Sequence, residues 1–214
     1  MLIDLKLAGK NVLIFGGGNI GEKKARKFSQ ANSKVTVVSK SFTDGLKQLS
    51  QRGKVELVEA EADFNSPSTS SLISKSNLII AATDNRKLNE SIVKKTRKRG
   101  ILVCAVDTPT ISDFYLPAIA HVGKIRIAIS TGGKSPAMAR VLRKRVEELI
   151  TKEDILQVTL QHYARKVTRS RIPDKEARKN VLYQIIQDHN VKRLLKEGNL
   201  KEAKAVAKQI IERH

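Results

Sequence analysis

Three groups of residues have the types and spacing to do chemistry. Gly16, Gly18 and Gly21 fall on a G-x-G-x-x-G spacing directly after the apolar run at residues 12–15. In that arrangement a strand turns into a helix whose N-terminal N–H groups receive phosphates. Gly16 would allow the tight turn, Gly18 the close approach of a pyrophosphate, and Gly21 the packing of helix against strand. Asp107 follows a second apolar run, residues 101–106, which would place a carboxylate at the edge of the sheet where a general acid or base is useful. As a bland alternative, Asp-Thr-Pro is also common turn chemistry. The third group is Thr131, Gly132, Lys134 and Ser135, inside a run that matches a relaxed phosphate-loop pattern. Pro136 removes an N–H just where a triphosphate cradle needs donors, so a carboxylate site at a capped helix start is the better reading, with Lys134 assisting.

These groups need elements to position them. Residues 12–15, 35–38, 55–58, 78–82 and 101–106 read as strands, rich in β-branched and apolar residues, with helical patterns at 21–31, 43–51 and 86–99 between them. The alternation predicts an α/β fold with a Rossmann-type parallel sheet. Its second strand ends in Ser39, Lys40 and Ser41, where a ribose-binding acid is expected. The hydroxyls can bond a ribose and Lys40 would suit a 2′-phosphate, so charge leaves NAD and NADP both open. Thr83 and Asp84 follow the fourth strand at its carboxyl end, where open parallel sheets bind ligands. Asp84 would cap the next helix, contact the ligand, or both. Residues 65–71 read as a Ser-rich surface segment and Asp113 as a loop residue.

Past residue 113 the pattern changes. Residues 115–122 and 125–130 read as a hairpin, followed by a helix from Pro136 to about residue 150 with Ser135 as its cap. From 151 onward the chain is helical, with Pro173 separating two helices, Gly198 closing another, and Asn199 with Glu202 as a capping box. The expected division is a nucleotide-binding domain at 1–113, a small α+β region at 114–150, and a C-terminal helical domain at 151–214.

Composition narrows the partners. Lys and Arg number 41 against 21 Asp and Glu, a formal net charge of +20, which points to an anionic partner. Aromatics are only 4% and Trp is absent, which argues against base stacking on single strands. No DNA- or RNA-binding signature is visible, so a specific nucleic-acid partner is not expected. A non-catalytic NAD-sensing or nucleic-acid-binding basic protein is the rival class. Cys104 is the only cysteine and lies in an apolar run, which excludes a disulfide framework. No apolar stretch approaches the roughly 20 residues that span a bilayer, and the N-terminus lacks a signal-peptide layout. No membrane partner and a cytoplasmic location are expected. His121, His162, His189 and His214 lack metal-ligand spacing, so no metal site is expected.

Taken in order, the motifs resemble those of the precorrin-2 dehydrogenase family, which includes the dehydrogenase/ferrochelatase part of sirohaem synthase. They are Gly16-Gly-Gly-Asn-Ile-Gly-Glu-Lys-Lys-Ala25, Ile80-Ala-Ala-Thr-Asp-Asn85 with Asn89, Val106-Asp107-Thr-Pro109, Phe114-Tyr-Leu-Pro117 and Ser130-Thr-Gly-Gly-Lys-Ser-Pro136-Ala with Arg140. The similarity runs from about residue 5 to residue 150. It implies a homodimer with residues 114–150 as the dimerisation region, NAD as cofactor, and oxidation of the octacarboxylate tetrapyrrole precorrin-2 to sirohydrochlorin on the way to sirohaem. Some members also insert ferrous iron into the product. The resemblance places Asn19, Ile20, Lys40 and Ser41 at NAD contacts, Asp107 at the catalytic aspartate, and residues 131–135 on the substrate-side loop.

Overall fold

The computed structural model describes residues 2–62 and 66–214, and these fall into two compact units, Met1–Leu116 and Pro117–His214. In the first unit, β1 (Asn11–Phe15), β2 (Lys34–Ser39), β3 (Glu56–Glu59), β4 (Leu78–Ala81) and β5 (Leu102–Ala105) form a parallel sheet in the order β3-β2-β1-β4-β5. Phe15 lies between Val38 and Ala81 in register. The helices α1 (Asn19–Gln30), α2 (Asp44–Gln51), α3 (Pro67–Ser74) and α4 (Arg86–Arg97) connect the strands.

Side chains alternate across a strand, and the core divides accordingly. Val12, Ile14, Val37 and Ile80 pack with Ala25 and Phe28 of α1 and Leu46 of α2. Leu13, Phe15, Ile79 and Val103 face the other way, against Ile73 of α3 and Ile92 of α4. Both faces of the sheet are thus buried, which is why its strands are apolar runs without alternation. The strand order reverses direction between β1 and β4, and in open α/β sheets that crevice is where ligands bind.

In the second unit, β6 (Ala118–Val122) and β7 (Ile125–Ile129) form an antiparallel hairpin. It turns through Gly123, at φ +59°, and Lys124. The helix α5 (Pro136–Leu149) packs on β6. The helices α6 (Lys152–Arg171), α7 (Lys175–Gln187), α8 (His189–Lys196) and α9 (Leu200–Glu212) bury Leu160, Ile185, Leu195 and Ile211 in a shared core.

Several local expectations are corrected. The segment expected as Ser-rich surface is the helix α3, which starts at Pro67 and buries Thr69 and Ile73; Asn65 lies outside the described residues. The first hairpin strand starts at Ala118, not at Tyr115, since Pro117 has no N–H for a ladder. At Asn199 half of the expected capping box forms, with its side chain accepting from the Glu202 N–H. A complete box is found at Thr151 and Asp154.

Candidate active site

β1 ends at Phe15, and Gly16 leaves it at φ +112°, a region that side chains rarely adopt. A Cβ at Gly16 would overlap the Ala82 carbonyl beyond β4, and one at Gly21 would overlap the Gly16 carbonyl. Gly17 is as constrained as either. A Cβ there would meet the Ser41 carbonyl and the Phe42 ring, contacts with a distant loop that the glycine spacing does not signal. Gly18 differs, because nothing lies within 4 Å of where its Cβ would be. Space therefore remains over the start of α1.

That start is also electrically available. Gly18 is the N-cap of α1 and offers no side-chain cap, whereas Thr43, Asn85 and Ser135 cap α2, α4 and α5 through side-chain oxygens. The first-turn N–H groups, including those of Asn19 and Ile20, are left to an anion along with the positive end of the helix dipole. A cleft of about 660 Å³ opens there, within the roughly 300–1,000 Å³ of ordinary ligand sites. Its walls are the glycine turn, residues 38–43, residues 60–62 and residues 82–84 with Leu88. Ser39, Lys40, Ser41, Thr83 and Asp84 all line it. These features fit a dinucleotide.

Glu22, in the first turn of α1, fixes one wall. Its Oε2 accepts from the Thr43 hydroxyl at 2.7 Å and its Oε1 from Arg26 Nη2 at 2.7 Å. Arg26 foremost, and then Thr43, hold its carboxyl below the usual range. Thr43 in turn caps α2 and donates its N–H to the Gly17 carbonyl at 3.1 Å. The loop after β2 is thereby pinned to the glycine turn.

The opposite wall is organised by Asn89, a fully buried residue of α4. Its Oδ1 accepts from the Thr83 N–H at 3.2 Å and the Thr83 hydroxyl at 2.7 Å. Its Nδ2 donates to the Thr83 carbonyl at 3.1 Å and to Asp107 Oδ2 at 3.2 Å. The amide can face only one way, because the Thr83 N–H must donate and the carboxylate must accept. One side chain thus ties the ends of β4 and β5 together and holds the exposed carboxylate of Asp107. Thr108, next to it, is buried, and its hydroxyl oxygen has no hydrogen-bond partner among the described residues.

Two expectations for nearby acids change. Asp84 is not the cap of α4; that is Asn85, whose side chain accepts from the Leu88 N–H at 3.1 Å, and Asp84 stays exposed in the cleft wall. Asp113 is more than a loop residue. Its carboxylate accepts from Arg97 Nε at 2.7 Å and from the Val103 N–H at 3.0 Å, bracing β5 from its edge. On the α1 side, burial pushes the Cys104 thiol up and the Lys24 ammonium down.

In the second unit, residues 130–135 form a self-bonded loop. Thr131 Oγ1 accepts from the Ser135 N–H at 3.1 Å, the Gly132 N–H donates to Ser130 at 3.2 Å, and Ser135 Oγ accepts from the Met138 N–H at 3.2 Å. The Lys134 N–H is engaged with the Thr131 carbonyl. Three backbone donors, those of Gly132, Lys134 and Ser135, are therefore spent inside the loop. Side-chain donors that the loop can offer an anion are the protons of the Thr131 and Ser135 hydroxyls, each accepting as described, and the exposed Lys134 ammonium. Among the described residues, no group of three or more His, Cys, Asp or Glu could hold a metal ion. No helix of the described residues is long and apolar enough to cross a membrane.

Comparison with known proteins identifies the family. A family model described as "Putative NAD(P)-binding" matches residues 3–118, and one described as "Sirohaem biosynthesis protein central" matches residues 122–149. The chain is 35% identical over 188 residues to a precorrin-2 dehydrogenase of Methanosarcina barkeri, covering 87% of this chain and 83% of that protein. It is 34% identical over 148 residues to a siroheme synthase of Nitrosococcus oceani, covering 69% of this chain and 30% of that one, so the chain spans about a third of the longer relative. Among solved structures, "SirC, precorrin-2 dehydrogenase" superposes with a TM-score of 0.76 at 20% identity, covering 100% of both chains. That likeness shows the fold.

Proposed function

The chain belongs to the precorrin-2 dehydrogenase family, and from that premise we propose that it oxidises precorrin-2 to sirohydrochlorin with NAD as hydride acceptor. The observation that carries the reading is the bridge made by Asn89, from Thr83 in the wall of the dinucleotide cleft to the Asp107 carboxylate. An acid–base group beside a cofactor site is the pairing a dehydrogenase needs, and the bridge supports that reading.

When bound, NAD supplies a two-electron acceptor for hydride. The chain's own residues supply the rest. The uncapped start of α1 receives the pyrophosphate, and Ser39 and Ser41 offer hydroxyls to the ribose. Asp107 takes the proton that the macrocycle loses in the same oxidation. Asn89 occupies Oδ2, so the proton goes to Oδ1. Thr131, Lys134 and Ser135 bind substrate carboxylates through two hydroxyl protons and one ammonium, and the basic surface draws in a substrate that carries eight of them.

A positioned acid–base group contributes roughly 10²–10⁴-fold to a rate. Asp107→Asn is therefore expected to lower kcat by about 100-fold or more while the Kd for NAD, measured by calorimetry, stays within a factor of about two. Undiminished turnover would make Asp107 a turn residue and remove it from the chemistry.

We also propose a homodimer. A two-stranded hairpin is marginal on its own, α5 buries only Ala139, and Met138, Val141 and Leu149 are exposed on that helix. Those apolar side chains suit a second copy of the chain, and light scattering on the eluted protein would give twice the monomer mass.

A further inference from the structure

The cleft wall beyond β2 carries a charged pair. Lys40 directly follows Ser39, the last residue of β2, and Glu61 lies two residues past Glu59, the end of β3. Ser39 and Glu59 are register partners, and the Ala60 N–H donates to the Ser39 carbonyl at 3.1 Å. This holds the two strand ends together. The Lys40 ammonium pairs with Glu61 Oε1, and both side chains line the cleft.

In dinucleotide-binding sheets the adenosine ribose meets the end of the second strand, where an acid on that strand selects NAD and a base admits a 2′-phosphate. Here a base, Lys40, directly follows the second strand, which by itself would favour NADP. The acid, Glu61, lies just past the neighbouring strand. We propose that Glu61 is the specificity-determining residue for the cofactor: it neutralises Lys40 and sets a negative charge against a 2′-phosphate, so the chain selects NAD over NADP. This rests on the dinucleotide reading of the cleft.

The side chains are 72% and 70% exposed, and such pairs add little to folding. Their consequence lies in the ligand. An approaching 2′-phosphate must either displace Glu61 from Lys40 or stand beside it, and like-charge juxtaposition is strongly unfavourable. A 2′-hydroxyl meets neither obstacle and can donate to the carboxylate.

The test is titration calorimetry of the full chain with NAD and with NADP, for the wild type, Glu61→Gln and Lys40→Ala/Glu61→Gln, with melting curves to check folding. Wild type is expected to bind NAD more tightly. In Glu61→Gln the ratio of the NADP Kd to the NAD Kd should fall roughly tenfold or more, because Lys40 is released to grip the phosphate. The double variant should lose that gain, and the effect should shrink with added salt. If both dinucleotides bind and the ratio is the same in wild type and Glu61→Gln, the assignment of Glu61 is overturned while the cleft stands. If neither binds to the wild type, the cleft reading fails and the inference with it.

Discussion

Asn89 shows how much of the site rests on one buried amide. Replacing it with Ala leaves the half-buried Thr83 N–H and the Asp107 carboxylate without this partner, and an abandoned donor there costs about 1 kcal/mol. Asn89→Ala is therefore expected to lose stability of that order and to lower kcat by about tenfold or more through a loosened Asp107, with the NAD Kd nearly unchanged. Urea melts and steady-state kinetics check both parts, and a variant with normal kcat would restrict Asn89 to a structural role. Cys104 gives a second test at this scale. Burial raises its pKa, so little of it is thiolate near neutrality, and a thiol reagent should react far more slowly with the folded chain than with the unfolded one. Asp107 could be picked out of the sequence because an acid directly after an apolar strand sits at a sheet edge. The role of Asn89 could not, since it depends on one face of α4 meeting two strand ends 6 and 18 residues away.

At the scale of elements, α1 begins without a side-chain cap and α2 is fastened to its first turn. Glu22 joins them, and its carboxyl is held below the usual range by Arg26 and Thr43. A lowered folded-state pKa means that the contribution is present at neutral pH, above the ordinary glutamate range, and is lost as pH falls through the folded value. Glu22→Gln is expected to cost about 1 kcal/mol at pH 7, and the gap to wild type should close below about pH 4; melts at the two pH values decide it. The parallel strands were legible because burial on both faces demands continuous apolar runs. The helix α3 was not, because Pro67-Ser-Thr-Ser-Ser carries weak helix formers and tertiary burial of Thr69 and Ile73 overrides that weakness. Gly17 was missed for the same kind of reason, as the loop it touches is 24 or more residues away in sequence.

For the whole molecule, the net charge of +20 suits a substrate with many carboxylates, and screening sets in over about 10 Å at 0.1 M salt. The KM for the tetrapyrrole is accordingly expected to rise with ionic strength while kcat changes little. The same field attracts nucleic acid, and that binding should be weak and vanish at physiological salt, whereas tight binding with a steep salt slope would favour the rival class. The most direct test of the proposed oxidation is to supply the purified chain with precorrin-2 and NAD and follow sirohydrochlorin and NADH together by their absorbance. Both products are expected in equal amounts, at a rate proportional to protein concentration. Absence of sirohydrochlorin with NAD and with NADP alike, from folded protein that binds the dinucleotide, would contradict it.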